Sequence, residues 1–428
     1  MLLFVFVYAF PIATAIMLYA FLMGPTEFHK NGLIGKLRVF IMSFPGYIGY
    51  ALLRLCCGKN GIDYAKRLEN YMCYQRNPIL QIVYLGLMAV NVGFFFVFVF
   101  PLWPNARVTM LHKVLCFFII LSPYLAFMKA CFSDAGVITK DTEQRYNETF
   151  KNDNIMYFKD RKCPTCGIIK PPRSKHSVVT DKCISKFDHF CGWLNNDVGE
   201  LNYKWFQLFL ITNWISCFYG SFIYILTLWG IVEEKNLLYT VFVTPSGQRI
   251  ESSPGIVFQY MLSNYIIIIA QCLFLFVVAL MIFGFWAYHF FYLTFVNCTT
   301  YETFKWSHVQ DVYESVKAYV QSSKYKENQP LVLHEYLYGV PEKQAAEVTK
   351  SEDGGVKSDH VKRKIKDWEV KQCQELEKLA RKQSKLTFIY YHGILNNIME
   401  VIWPLTLRSG PLPKPKETRR KNAARFLD

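Results

Sequence analysis

The sequence predicts an α-helical polytopic membrane protein with about five transmembrane helices and a small zinc-stabilised cytosolic cysteine-rich domain. Three observations predict it: long apolar runs, an uneven spread of Lys and Arg among the connectors, and a Cys/His cluster confined to one connector. Of the 428 residues, 52% are hydrophobic and 17% aromatic, too apolar for an ordinary soluble domain.

Five runs are long enough to cross a hydrocarbon core, which takes about 20 residues of helix. They are Leu2–Met23, Ile82–Phe100, Val114–Phe132, Phe206–Ile231 and Met261–Val296. The first has no Lys or Arg ahead of it and is longer than the short apolar stretch of a signal peptide, so it reads as a retained anchor. Leu33–Leu55 is also apolar, but Lys36, Arg38 and Arg54 interrupt it, and an interfacial or re-entrant segment is expected there.

Lys and Arg set the sides. Residues 24–81 carry 8, residues 133–205 carry 12 and the tail from 297 carries 23, whereas 102–112 carries 1 and 232–260 carries 2. Positive connectors stay cytosolic. The N-terminus is therefore expected in the lumen or exterior, and residues 133–205 and the C-terminus in the cytosol. The resulting division is 1–132 with three spans and a cytosolic loop at 24–81, a cysteine-rich domain at 133–205, two spans at 206–296, and a tail at 297–428 with a charged insert at 341–386. The formal charge of +15 is a topology signal. Nucleic acid is not an expected partner, because the basic residues flank spans and are mixed with acids. Asn147-Glu-Thr and Asn297-Cys-Thr match a glycosylation acceptor but fall on the cytosolic side, away from the transferase.

In that reducing compartment, cysteines serve as metal ligands or reactive thiols. The stretch "CPTCGIIKPPRSKHSVVTDKCISKFDHFCGWLNNDVG" opens on Cys163 and Cys166, a C-x2-C knuckle, followed by His176 and Cys183. Three thiolates and an imidazole close a tetrahedral zinc site, leaving no position for water, so the ion is structural. Cys191 is left over, two residues after His189 and three after Asp188. Local spacing leaves two readings open. Either an imidazole oriented by a carboxylate ionises a nucleophilic thiol, or Asp188 is a cap and His189 another metal ligand.

The full order of motifs resembles the DHHC-type protein S-acyltransferases (palmitoyltransferases). It runs C-x2-C, Pro-x-Arg-Ser-x-His, Cys, Phe-Asp-His-x-Cys-x-Trp, Asn-Asn, Val-Gly, then Asn202 and Phe206. "SDAGVITK" from Ser133 resembles the family's Asp-Pro-Gly motif with Ala135 in place of Pro. "TTYE" from Thr299 matches its Thr-Thr-x-Glu motif, and "YYHGILNNIMEVIWP" from Tyr390 resembles its C-terminal motif. The resemblance implies that Cys191 takes a long acyl chain from acyl-coenzyme A as a thioester and passes it to cysteines of substrate proteins. His189 is then the base, Asp188 orients it, and Thr300 holds Asp188. Lys170, Arg173 and Lys175 are candidates for the coenzyme A phosphates, and Asn397 of the C-terminal motif is placed with them at the cofactor site. The extra first span and the C-terminal motif look most like the endoplasmic-reticulum branch that includes yeast enzymes acting on SNAREs. A catalytically inactive zinc-binding membrane adaptor of the same fold is the competing expectation.

The sequence also departs from the family, whose segment normally binds a second zinc. At those four positions stand Ser177, Thr180, Phe190 and Asp197, none of them a Cys or His. One zinc per chain is expected, with Val178, Val179 and Phe190 packing where the second ion sat. Phe190 also turns Asp-His-His-Cys into Asp-His-Phe-Cys, and Gly192 replaces the usual Pro. In the tail, the insert from Ser358 reads as a solvated helix.

Overall fold

The computed structural model describes residues 32–243, 247–322, 325, 327, 333, 367–382, 389–408 and 410. The expected first span at Leu2–Met23 lies outside them, as does most of the insert.

Residues 1–76 form one unit and 77–428 another. In the first, α1 runs over Leu33–Tyr74 with a break at Gly58, whose φ of 61° lies in the left-handed region. The expected loop at 24–81 is thus mostly helix, a correction that fits the rarity of long structureless connections in ordered proteins.

In the second unit, four helices are long and apolar enough to span a membrane: Ile79–Leu102, Met110–Phe132, Tyr203–Glu234 and Pro254–Phe291. The chain is an integral membrane protein. The first of these comprises α2 (Ile79–Phe94) and a π-turn at Phe95–Val99. The second is α3 (Met110–Phe132), the third α5 (Tyr203–Glu234), and the fourth begins with α6 (Pro254–Ala287) and passes into a π-turn at Tyr288–Thr294. Polar side chains tie the spans together where lipid offers no partner. Trp103 Nε1 donates to Thr227 Oγ1 at 2.7 Å, and Tyr84 OH donates to Asn213 Oδ1 at 3.0 Å.

Between α3 and α5 the chain leaves the spans. Asp134 Oδ1 accepts from the backbone N–H groups of Gly136 and Val137 at 2.9 and 3.1 Å, so the Ser-Asp-Ala-Gly motif makes an Asx turn. It delivers β1 (Val137–Ile138) to a three-stranded sheet of order β1-β3-β2, with β2 at Lys175–Ser177 and β3 at Lys182–Ile184. The short helix α4 (Glu143–Thr149) lies between β1 and β2. A separate hairpin pairs β4 (His189–Cys191) with β5 (Asn196–Val198), setting His189 opposite Val198, Phe190 opposite Asp197 and Cys191 opposite Asn196. A further hairpin, β6 (Val241–Val243) with β7 (Arg249–Glu251), joins α5 to α6.

The tail returns to this segment. α7 (Thr300–Val320) starts on a capping box: Thr299 Oγ1 accepts from the Glu302 N–H, and the Glu302 carboxylate accepts from the Thr299 N–H. α8 (Asp367–Arg381) buries Cys373, Leu376 and Ala380 against Val309, Val312 and Val316 of α7. The solvated helix expected for the insert is thereby corrected. Positions 373, 376, 377 and 380 follow the helical repeat, so a charged composition hides a buried stripe. α9 (Ile394–Ile402) and α10 (Leu405–Arg408) end the described chain.

Candidate active site and metal centre

Cys163, Cys166, His176 and Cys183 converge, with all ligand atoms within 4.8 Å of one another. His176 Nδ1 lies 3.7, 3.3 and 3.8 Å from the sulfurs of Cys163, Cys166 and Cys183. Tetrahedral zinc with ordinary Zn–S and Zn–N bonds sets these separations at about 3.6 Å. The knuckle closes through the Gly167 N–H donating to the Cys163 carbonyl, with Gly167 at φ 68°. His176 Nε2 sits 3.3 Å from Asp181 Oδ1, the partner that fixes which nitrogen faces a metal. The four residues fit zinc.

The four positions of the second family site have a different chemistry. Asp197, buried, accepts from Ser177 Oγ at 2.7 Å on one oxygen and from Thr180 Oγ1 on the other. Val178 is 78% exposed. Val178 thus does not pack inward as expected, and at three of these positions a buried carboxylate holds two hydroxyls.

This carboxylate stands directly across the hairpin from Phe190, between His189 and Cys191 in register. Asn196 Nδ2 anchors the same hairpin to α3 through the Ala130 and Ser133 carbonyls at 3.2 and 2.9 Å. At Gly192 a Cβ would lie 2.7 Å from the Leu80 methyl, so the proline of the family pattern does not fit here unless Leu80 moves.

Asp188, His189, Cys191 and Thr300 come together on that frame. His189 Nδ1 donates to Asp188 Oδ2 at 2.6 Å. The carboxylate also accepts from the Thr300 N–H at 2.6 Å and from Thr300 Oγ1 at 3.2 Å. Burial by itself depresses the imidazole, but the Asp188 bond, a bond to the Cys191 thiol and both opposing charges override it, raising His189 to about 10. Burial pushes Asp188 up, and the His189 partner and the Thr300 N–H more than offset it, holding the carboxyl below its usual range. Cys191 is buried, packed with Phe206, Phe209 and Leu210. Phe206 presents an edge to His189, and His289 lies beside both, its Nδ1 3.0 Å from Tyr203 OH. The π-turn at the end of the last span places His289 there, a feature common at functional sites.

An apolar cavity of about 550 Å³ lies among the spans, lined by Tyr84, Trp193, Phe209, Asn213, Tyr224 and Phe285 among others. Trp193 belongs to the turn that follows Cys191.

Two of the expected cofactor contacts need correction. Arg173 is fully buried, with Nε and Nη2 clamped on Glu302 at 2.8 and 2.7 Å and Nη2 also on the Asn297 carbonyl at 2.7 Å. A guanidinium so enclosed has no face for a coenzyme A phosphate. Asn397 is also buried, donating to the Phe295 carbonyl at 2.6 Å and accepting from the His392 N–H at 3.1 Å. It ties α9 to the end of the last span. Lys175 lies over the Phe187 and Tyr301 rings at 4.9 and 4.5 Å, and Lys170 lines a second cavity.

Sequence reasoning missed the cluster that locks the tail to the site. Glu400 contacts Arg173 at 3.5 Å and Lys186 at 2.8 Å, and Asn297 bridges Lys186, Glu400 and the Tyr390 carbonyl. Burial pushes Glu400 up, but Lys186 and Arg173 prevail and hold it at about 2. One part was readable: Thr-x-x-Glu at Thr299 to Glu302 is a capping-box signature, and Glu302 also clamps Arg173.

Fold and site together define a polytopic membrane protein carrying a Cys3His metal segment and a carboxylate–imidazole–thiol group. The DHHC palmitoyltransferase domain matches residues 156–307. The chain is 34% identical over 198 residues to Palmitoyltransferase SWF1 of Yarrowia lipolytica, covering 43% of this chain and 47% of that protein. To Palmitoyltransferase swf1 of Schizosaccharomyces pombe it is 27% identical over 307 residues, covering 72% and 81%. To Palmitoyltransferase ZDHHC4 of Bos taurus it is 25% identical over 304 residues, covering 70% and 84%. Residues 156–307 thus carry a DHHC palmitoyltransferase domain.

Proposed function

We propose that this protein S-acyltransferase moves a long-chain acyl group from acyl-coenzyme A through Cys191 to cysteines of membrane proteins. The observation that carries the reading is the Asp188–His189 bond of 2.6 Å, which holds a raised imidazole two residues before the buried Cys191 thiol. A thiolate next to an imidazolium is the reactive form of such a pair.

Cys191 transfers its proton to His189 and its sulfur attacks the thioester carbonyl of acyl-coenzyme A. A new C–S bond forms at Cys191, the bond to coenzyme A breaks, and the departing thiolate takes the proton. In the second half, a substrate cysteine gives its proton to His189 and attacks the Cys191 thioester, freeing Cys191. Each half exchanges one thioester for another, so the work left to the protein is positioning and thiolate formation. Asp188 holds the imidazole and Thr300 holds Asp188. The apolar cavity beside Trp193 suits the acyl chain. Zinc on Cys163, Cys166, His176 and Cys183 would be structural, with its ligand set complete.

The same geometry supports a cytosolic active site. The 133–202 segment and the tail interlock through Arg173–Glu302 and Asp188–Thr300, which requires both on one side, and two spans separate them. With Lys and Arg concentrated in both, that side is the cytosol, and a first span at Leu2–Met23 puts the N-terminus in the lumen. In this reading the endoplasmic reticulum is the location and SNAREs are substrates, on the resemblance of the first apolar run and the C-terminal motif to the endoplasmic-reticulum branch.

The test is labelling of purified protein with a palmitoyl-coenzyme A analogue, wild type beside Cys191→Ser, with zinc counted in both. Wild type takes up a hydroxylamine-labile label and the variant takes none while keeping its metal. A hydroxylamine-labile label that persists in Cys191→Ser sinks the assignment.

A further inference from the structure

Acyl transfer asks more of the His189 imidazole than its bond to Asp188 supplies. That bond, 2.6 Å long, occupies Nδ1, so the proton of Cys191 goes to Nε2. A ring held at one nitrogen can still swing about that point. A base works only while its free nitrogen stays within hydrogen-bond reach of the nucleophile, so whatever walls the ring bears on the chemistry.

Two rings form that wall. The centroids of His189 and Phe206 lie 5.2 Å apart at 72°, and those of His189 and His289 lie 6.1 Å apart at 46°. Phe206 and His289 meet each other at 5.0 Å and 79°, so the three rings close a triangle at the spacing of ordinary aromatic pairs. Phe285 backs His289 at 4.6 Å. His289 is 1% exposed. A wall that needed only bulk could be phenylalanine throughout, as Phe206 and Phe285 are, because a buried imidazole is costly unless its polar atoms find partners. This imidazole has one: Nδ1 lies 3.0 Å from the hydroxyl of Tyr203, the first residue of α5.

The backbone around His289 is held as well. Its carbonyl accepts from Thr294 Oγ1 at 2.9 Å, the Thr294 carbonyl from the Asn297 N–H at 3.1 Å, and the Leu293 carbonyl from the Cys298 N–H at 2.9 Å. The π-turn at Tyr288–Thr294 therefore runs through a bonded turn to Thr300, which holds Asp188. One stretch, residues 289–300, touches both members of the pair: the carboxylate through hydrogen bonds and the imidazole through a neighbouring ring.

We propose that His289, held by Tyr203, is a positioning residue for acyl transfer, walling the His189 imidazole so that Nε2 stays turned to Cys191. The inference rests on the acyl-transfer reading and gives His289 no proton or bond to exchange.

The experiment uses zinc-loaded full-length protein in detergent and compares wild type with His289→Asn, His289→Phe and Tyr203→Phe. Asn keeps an acceptor for Tyr203 without the ring, and Phe keeps the ring without the acceptor. Autoacylation by palmitoyl-coenzyme A is measured first. The maximal rate of His289→Asn should fall at least about tenfold with half-saturation unchanged, and His289→Phe and Tyr203→Phe should lose less. Alkylation of Cys191 by iodoacetamide, followed on its peptide by mass spectrometry, then separates positioning from mere packing. The reagent takes the thiolate. A misaligned imidazole leaves more of the thiol protonated, so alkylation slows at neutral pH and the gap closes at alkaline pH, where a thiol ionises unaided. A loss of packing alone admits the reagent and speeds alkylation at every pH. A wild-type rate in His289→Asn, a larger loss in His289→Phe than in His289→Asn, or faster alkylation at neutral pH overturns the proposal. If His289→Asn does not fold, the other two variants carry the test: slow neutral alkylation that recovers at alkaline pH in either supports it, and its absence from both overturns it. Alkylation uses no acyl donor, so a failure of the acyl-transfer reading would show in the labelling experiment alone.

Discussion

Two neighbouring places in the cysteine-rich segment meet one structural need by different means. At Cys163, Cys166, His176 and Cys183, four ligand atoms gather to fit an ion. At Ser177, Thr180 and Asp197, the corresponding family positions, a carboxylate accepts two hydroxyls. Both pin a loop-rich stretch with little apolar core. They differ in strength and in reach: a bound zinc contributes on the order of 10–16 kcal/mol of folding free energy, whereas hydrogen bonds to a charged group contribute about 1.5–3 kcal/mol each. An ion on those four ligands would organise the whole segment, while the carboxylate steadies one hairpin, the hairpin that carries His189 and Cys191.

The harshest way to break this contrast is to remove the metal. Strand β2 carries His176, a ligand, and Ser177, a partner of Asp197, so the weaker device should not survive alone. Chelation is expected to abolish protease resistance across 156–202 and autoacylation with it, read by limited proteolysis with and without chelator. An intact hairpin after metal loss would show the carboxylate half to be self-sufficient.

Asp197→Ala should come next in size. It leaves the buried Ser177 hydroxyl and the half-buried Thr180 hydroxyl unpaired, at about 1–3 kcal/mol for each buried group. The expected result is a lower melting temperature and slower autoacylation at undiminished zinc content, with Asp197→Asn less damaged because one side-chain oxygen still accepts. If the melting temperature stays put, the network only fills space.

The two halves also differ in how far the sequence discloses them. The metal half is legible because Cys-x-x-Cys with His and Cys downstream is a spacing pattern, and the four spans appear as plain apolar runs. Ser, Thr and Asp have no such signature, so the hydrogen bonds of Ser177 and Thr180 to Asp197 emerge only when β4 pairs with β5 and sets Asp197 against Phe190. The Arg173 clamp was hidden for another reason: its partners Asn297, Glu302 and Glu400 lie more than a hundred residues along the chain and reach it by way of two spans. A surface role expected for Arg173 in a basic stretch gave way to a buried one. The insert helix shows the same limit, since its apolar stripe is spaced among charges.

Alkaline pH probes the hairpin between the two devices. His189 has its folded value raised to about 10 from an ordinary 6.5. Its pairing with Asp188 thus stabilises the fold fully below about pH 6.5, and the contribution is lost as pH rises through about 10. Melting temperature followed from pH 7 to 10.5 should fall more steeply for wild type than for Asp188→Asn, in which the imidazole loses the charge that raises it. Parallel curves would mean that the pair adds no stability.

The smallest expected effect is the most discriminating. Phe190→His restores the Asp-His-His-Cys pattern at the one position where this chain's motif departs from it. If the second site were merely missing a ligand, that change would recover zinc. Its other members are now Ser177, Thr180 and Asp197, and zinc is held by thiolate, imidazole or carboxylate donors. One imidazole beside one carboxylate already committed to two hydroxyls makes no closed tetrahedral set. Zinc measured per chain is therefore expected to stay at one in both wild type and variant. Autoacylation should change little, because His189 and not residue 190 carries the bond to Asp188. Two equivalents in wild type would refute the single-ion reading outright. Two in the variant alone would mean that Asp197 gives up its hydroxyls for a metal, and that the hydrogen-bonded half is a weak stand-in for zinc.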